Sequence, residues 1–296
     1  MTSAEATARA LLARATPRVF QLAGGVEIAA LDWGGDGPLA LLHHANGFCK
    51  GTWALVADAL RPRWCVVAID ARGHGDSSKP EGPGAYLWHR FADDLIGVAD
   101  QLAVERGQPI ALGIGNSFGG TALLGASGQR PELFERLLLA DAVIPRLVDP
   151  SLPLDHQPHV RRLVDGARRR RHHWPSRAAA REWCTGRSLF AGWRPDAIEL
   201  YLLDGMHERP GGDLELKCPG EVEAAIFAGS GSVDAFALAG AVRVPTRFLH
   251  AARGDFPRPV YEAIAASMPD ATVETLDSGH LVPMEHPELI AAAVTS

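Results

Sequence analysis

Six residues, Gly115-Asn116-Ser117-Phe118-Gly119-Gly120, separate an apolar run from a helical one and restrict what this chain can become. The run before them, Ile110–Gly115, has the length and composition of a buried strand, and Phe118–Ser127 has those of a helix. The chain therefore reverses from strand to helix at a serine. Such a sharp turn strains the serine backbone, and the residues two positions to either side collide unless they are glycine. A helix that begins directly after the serine points free N–H groups at it. An ordinary Gly-Ser loop lacks this strand-before, helix-after setting. A phosphate loop would need a Gly-Lys-Ser/Thr ending, which is absent.

The rest of the chain repeats the alternation. Arg18–Leu22 and Val26–Trp33 predict an opening hairpin, and further short apolar runs end on small or polar residues: 39–43, 65–70, 137–141, 248–251 and 272–276. Helical patterns occupy 52–60, 87–104, 259–267 and 287–294. Apolar strands alternating with amphipathic helices predict an α/β fold, a mostly parallel twisted sheet with helices on both faces. In such sheets function gathers at the carboxyl ends of the strands.

Residues 142–244 break the rhythm. They show no convincing strand, and they are expected to form a mainly helical cap inserted into a core made of 1–141 and 245–296. Ten arginines fall between Arg161 and Arg194 against Asp165 and Glu182, whereas Pro195–Asp234 holds nine acids against Arg209 and Lys217. The two halves are expected to pair with each other, the alternative being that Arg168-Arg169-Arg170-Arg171 forms an anion or membrane patch. A net charge of −6 gives no reason to expect nucleic-acid binding. The four cysteines are scattered without a C-x-x-C pair, as expected of reduced buried thiols in a cytoplasmic protein. No window approaches the roughly 20 apolar residues of a membrane span, and the Ala/Arg-rich start lacks the apolar core of a secretory signal.

A serine is a weak nucleophile until a base, itself held by an acid, activates it. His280 lies in Ser278-Gly279-His280, in the loop after the last strand, and is the expected base; His286, just before Pro287, is expected on the surface. Two carboxylates end strands at the same sheet edge. Asp255, in the turn Gly254-Asp255 ahead of Phe256-Pro257, is preferred as the acid, with Asp141 after Leu137–Ala140 as the alternative. Adjacent residues on a strand point to opposite faces, so His43-His44 is not a metal pair, and no metal ligand set is expected.

With these residues in place the chain resembles the α/β-hydrolase fold superfamily, in its serine hydrolase, carboxylesterase-like branch. Asp70-Ala71-Arg72-Gly73-His74-Gly75-Asp76-Ser77-Ser78 is similar to that superfamily's D-x-R-G-x-G-x-S turn, in which His74 would be structural. His44-Ala45-Asn46-Gly47-Phe48 is similar to its His-Gly-X oxyanion segment, with alanine where glycine is usual. The resemblance implies an oxyanion hole from the backbone N–H groups of Asn46 and Phe118. It also implies an acyl-enzyme route to ester cleavage, a small and largely apolar substrate, and no cofactor. Serine at 117 argues against the haloalkane dehalogenase and epoxide hydrolase branches, which carry aspartate there. Carbon–carbon bond hydrolases and enol-lactonases of aromatic catabolism, and small-molecule receptors on the same fold, remain alternatives. The cap, rich in Trp174, Trp183, Phe190, Trp193, Tyr201 and Phe227, is expected to wall an apolar acyl or alcohol pocket, but aromatics at helical spacing more often belong to a core, so none of the six is assigned to the site. Homo-oligomerisation is left open.

Overall fold

The alternating runs assemble, in a computed structural model that describes residues 1–149 and 154–295, into one eight-stranded sheet with helices on both faces. In chain order come α1 (Ser3–Leu12), β1 (Thr16–Gln21), β2 (Glu27–Asp32), β3 (Leu39–His43), α2 (Ala54–Leu60), β4 (Cys65–Ile69), α3 (Trp88–Arg106), β5 (Leu112–Asn116), α4 (Phe118–Gln129) and β6 (Leu137–Ala140). Then follow α5 (Pro158–Arg168), β7 (His173–Trp174), α6 (Arg177–Thr185), α7 (Pro195–Asp204), β8 (Met206–Glu208), β9 (Leu214–Leu216), α8 (Gly220–Ala228) and α9 (Ala235–Ala241). The chain closes with β10 (Thr246–Arg253), α10 (Arg258–Ala266), β11 (Ala271–Gly279), α11 (Val282–Glu285) and α12 (Pro287–Thr295).

The spatial order of the large sheet is β1-β2-β4-β3-β5-β6-β10-β11. The first two strands run antiparallel to their neighbours and the others are parallel. Every residue of β3, β4, β5 and β6 is buried, as expected for strands covered on both sides. The period-2 geometry divides them between two cores. Leu39 and Leu41 pack with Phe91 and Leu95 of α3, whereas Ala40 and Leu42 pack with Trp53, Val56 and Ile290.

The segment between β6 and β10 departs from expectation in one respect. Besides α5–α9 it contains a small antiparallel sheet of order β7-β9-β8. Strands of two and three residues are too short to leave a readable alternation. α9 turns back to the core and packs on α4, where a Cβ on Gly128 would lie 3.1 Å from the Cβ of Ala241. Charged groups fasten the rest of the segment to the sheet. Lys50, 3% exposed, donates to Asp70 at 2.7 Å, Asp76 at 2.8 Å and Asp204 of α7 at 3.2 Å. Burial alone would lower its ammonium, but these carboxylates outweigh that and raise it. On the other flank Arg181 of α6 reaches both Glu5 of α1 and Glu199 of α7. Cys49, Cys65, Cys184 and Cys218 are buried free thiols, and among the described residues no single helix is long and apolar enough to cross a membrane.

The glycines flanking Ser117 earn their positions by close approach. A Cβ on Gly115 would sit 2.6 Å from the backbone of Gly119 and Gly120, and one on Gly119 would sit 2.5 Å from the His43 carbonyl oxygen. Gly166, on the open side of α5, has nothing within 4 Å. Gly119→Ala should therefore cost about 1–3 kcal/mol in urea denaturation, while Gly166→Ala should gain up to about 1 kcal/mol. Equal effects of the two changes would contradict the packing of α4 beneath β3.

Candidate active site

Ser117 stands between β5 and α4 with φ 58° and ψ −125°, a conformation that costs a non-glycine residue about 1–3 kcal/mol. Its own N–H donates to Ala140 O at 3.0 Å, and its carbonyl accepts from Gly120 and Val143. Oγ is thus lifted above the sheet edge at a fixed point. It lies 2.8 Å from His280 Nε2, to which it donates.

His280 is held from three sides. Glu285 accepts from the N–H groups of Gly279 at 2.7 Å and Leu281 at 3.2 Å, on either side of the histidine. Asn116, the residue before the serine, donates its amide to His280 O at 3.0 Å and to Ala140 O at 2.8 Å. The third contact corrects the sequence expectation. His280 Nδ1 donates to Asp141 Oδ2 at 2.6 Å, so Asp141, not Asp255, is the carboxylate against the imidazole. Asp141 is fully buried, and its other oxygen accepts from Ala251 N–H at 3.0 Å and lies 3.0 Å from the Tyr261 hydroxyl. Burial and the Asp141 charge together push the Tyr261 hydroxyl pKa up, keeping it a donor. Asp255 is exposed on the wall of the adjoining cavity, where its neighbour Phe256 brings its ring 6.4 Å from that of His280. The reason is the length of β10. It runs to Arg253, and the following turn carries Asp255 outward, whereas β6 stops at Ala140 and leaves Asp141 below the imidazole. His286 is on the surface beside Glu288, as expected.

The strand end His43-His44-Ala45-Asn46-Gly47 depends on its side chains more than its sequence suggests. His44 donates from Nδ1 to Ala45 O at 2.7 Å and accepts the Ala71 N–H at Nε2, 3.0 Å away. His74, from the turn after β4, accepts the Gly47 N–H at 2.9 Å and donates to Arg72 O at 3.1 Å. His43 donates to His44 O at 3.1 Å. Only a neutral imidazole offers one donor and one acceptor in this way. Burial keeps these rings neutral. It lowers the His43 pKa to about 3 and pushes those of His44 and His74 below the ordinary histidine range. From the opposite side Asn46 donates its amide to Glu223 O at 3.2 Å, and Arg170 reaches Gly47 O while pairing with Glu223.

A cavity of about 780 Å³ opens over Ser117 and His280 and is lined by Asn46 and Phe118 as well. Of the six aromatics between β6 and β10 named above, Trp183, Phe190 and Phe227 line it. Trp174, Trp193 and Tyr201 are instead buried in a cluster with Phe48 and Phe190.

Comparison with known proteins agrees with this geometry. The sequence model described as "Alpha/beta hydrolase family" matches residues 40–293. The AB hydrolase superfamily protein YfhM of Bacillus subtilis is 32% identical over 120 residues, 40% of this chain and 41% of that protein. A 2-hydroxymuconate semialdehyde hydrolase of Pseudomonas putida is 34% identical over 111 residues, 37% of this chain and 38% of its own length. This chain thus spans about a third to two fifths of the length of the curated relatives it matches. The solved structure of an E-2-(acetamidomethylene)succinate hydrolase superposes with a TM-score of 0.79 at 22% identity, covering 95% of this chain and 98% of that one.

The buried histidines set a pH dependence of stability. Below an ordinary pKa of about 6.5 the unfolded chain protonates them while the folded chain does not. The unfolded state then binds more protons, and stability falls as pH falls, by at most about 1.4 kcal/mol per unit for each such ring. Asp76, held at about 2 against its burial by Lys50 and Lys217, acts only below the ordinary aspartate range and leaves this window clear. Urea midpoints should fall steadily from pH 6.5 to 5; a flat profile there would mean the rings are not buried neutral.

Proposed function

Because the chain belongs to the alpha/beta hydrolase family, we propose that it is a serine hydrolase cleaving carboxylic esters of a small substrate with a largely apolar body. The observation that carries this reading is the continuous line Asp141–His280–Ser117, with hydrogen bonds of 2.6 and 2.8 Å. In the proposed reaction Ser117 Oγ attacks the ester carbonyl carbon as its proton passes to His280 Nε2. Asp141 fixes the imidazole tautomer and stabilises the imidazolium. Negative charge on the carbonyl oxygen is received by the N–H of Phe118, which as the first residue of α4 has no intrahelical acceptor, and by the N–H of Asn46. Collapse breaks the bond to the alcohol oxygen, which leaves with the proton from His280. Water then gives a proton to Nε2 as it attacks the acyl carbon, and Ser117 regains the proton as the acid departs.

A second reading is favoured by one relative. The Pseudomonas putida protein is named for hydrolysis of a semialdehyde, and the same serine, histidine and aspartate could serve cleavage of a carbon–carbon bond. Comparing turnover of p-nitrophenyl butyrate with that of a vinylogous diketone separates the two. The assignment of the acid is tested by substitution at constant fold. Asp141→Asn should lower kcat on the ester by about 10⁴-fold, whereas Asp255→Asn should change it by less than about tenfold. Loss of activity only in the Asp255 variant would overturn it.

A further inference from the structure

The expectation that the arginine-rich half of the cap is neutralised by its acidic half holds for only part of it. Arg168 pairs with Glu221, Arg170 with Glu223, Arg177 with Glu208 and Arg181 with Glu199. The cavity above Ser117 is different. Among the described residues, Arg146, Arg162, Arg169, Arg170, Arg171 and Arg187 line it, against the carboxylates of Glu223 and Asp255. Glu223 is already used by Arg170, Asp234 takes Arg146 at 3.4 Å, and Arg171 donates to His173 O. Among the described residues, none of the ion pairs involves Arg162, Arg169 or Arg187; Arg187 lies over the Trp183 ring at 5.1 Å. The chain as a whole carries 35 acids and a net charge of −6, so composition did not force this surplus at the one place where the serine opens to substrate.

We propose that the cavity binds an acyl substrate carrying an anionic group, a carboxylate or a phosphate, remote from the scissile carbonyl and received by Arg162, Arg169 and Arg187. This rests on the hydrolase reading above and narrows its substrate class. A guanidinium offers a planar fork of donors matched to either anion, and its charge is permanent. The three arginines come from two separate places, α5 with the residue after it and the loop following α6. The same cavity is lined by Leu163, Leu189, Phe190 and Phe227, which suit the apolar body linking the anion to the ester. The three arginines are exposed to solvent at the cavity wall and share that one cavity with Ser117 and His280.

The test compares p-nitrophenyl butyrate with the mono-p-nitrophenyl ester of glutarate. In the wild-type protein the ratio of kcat/KM for the glutarate ester over the butyrate ester should fall as sodium chloride is raised, because exposed charges are screened. The triple variant Arg162→Gln, Arg169→Gln, Arg187→Gln should lower that ratio by roughly tenfold or more at low salt. A ratio unmoved by salt and by substitution overturns the proposal. Turnover of the butyrate ester by the wild type shows separately whether the hydrolase reading stands. Binding is read without turnover from melting temperature: octanoate or octyl phosphate should raise it more than octanol in the wild type and lose that advantage in the triple variant. The stronger of the two anions identifies the group, and equal shifts from all three ligands overturn the proposal even where no ester is cleaved.

Discussion

A carboxylate with no exposed surface has to be surrounded by donors, and the structure around Ser117 is organised by how Asp141 meets that demand. Its donors come from β10 through Ala251 N–H, from α10 through Tyr261, and from the final loop through His280. Three elements distant in sequence are thereby fixed to the end of β6. Since β6 lies between the strand of the serine and the strands that precede the tyrosine and the histidine, the carboxylate is at the one point from which all can be held. Its backbone shows the constraint as well: Asp141 and Ser117 are the two non-glycine residues with positive φ among those described.

Much of this arrangement is legible in the sequence, because strong local rules govern it. The turn around Ser117 needs its glycines, the strand–helix alternation dictates a covered parallel sheet, and the glycine before His280 marks the final loop. The local sequence favours Asp255 over the carboxylate that lies against His280 for a physical reason. Gly254-Asp255 has the form of a turn that projects a carboxylate, yet the glycine serves another residue: a Cβ there would lie 2.3 Å from Asp141 Oδ2. Sequence reports that a glycine is required but not what it makes room for. Strand order across the sheet, which decides which strand end reaches the histidine, is likewise a non-local property.

The histidines of the β3 end show a related limit. Nothing in the local sequence reveals that His44 and His74 each accept a backbone N–H across the two loops. Their partners, Ala71 and Gly47, are supplied by the other loop. The result is a segment around Asn46 braced by neutral rings on the side of the sheet and by Glu223 and Arg170, from the segment between β6 and β10, on the other. The sheet and the segment between β6 and β10 therefore fix the backbone at Asn46 jointly, beside the cavity that the arginines line. Glu285 and Asn116, which clamp the backbone on both sides of His280, gave no chemical signal in the sequence because they act through the main chain.

The central proposal is that Ser117 is a nucleophile activated through His280 by Asp141. Treating the folded protein with a biotinylated fluorophosphonate and mapping the modified peptide measures this directly. A single adduct on Ser117 is expected, forming far more slowly in Asp141→Asn than in the wild type. A folded protein that stays unlabelled, or an adduct on a different serine, would contradict it.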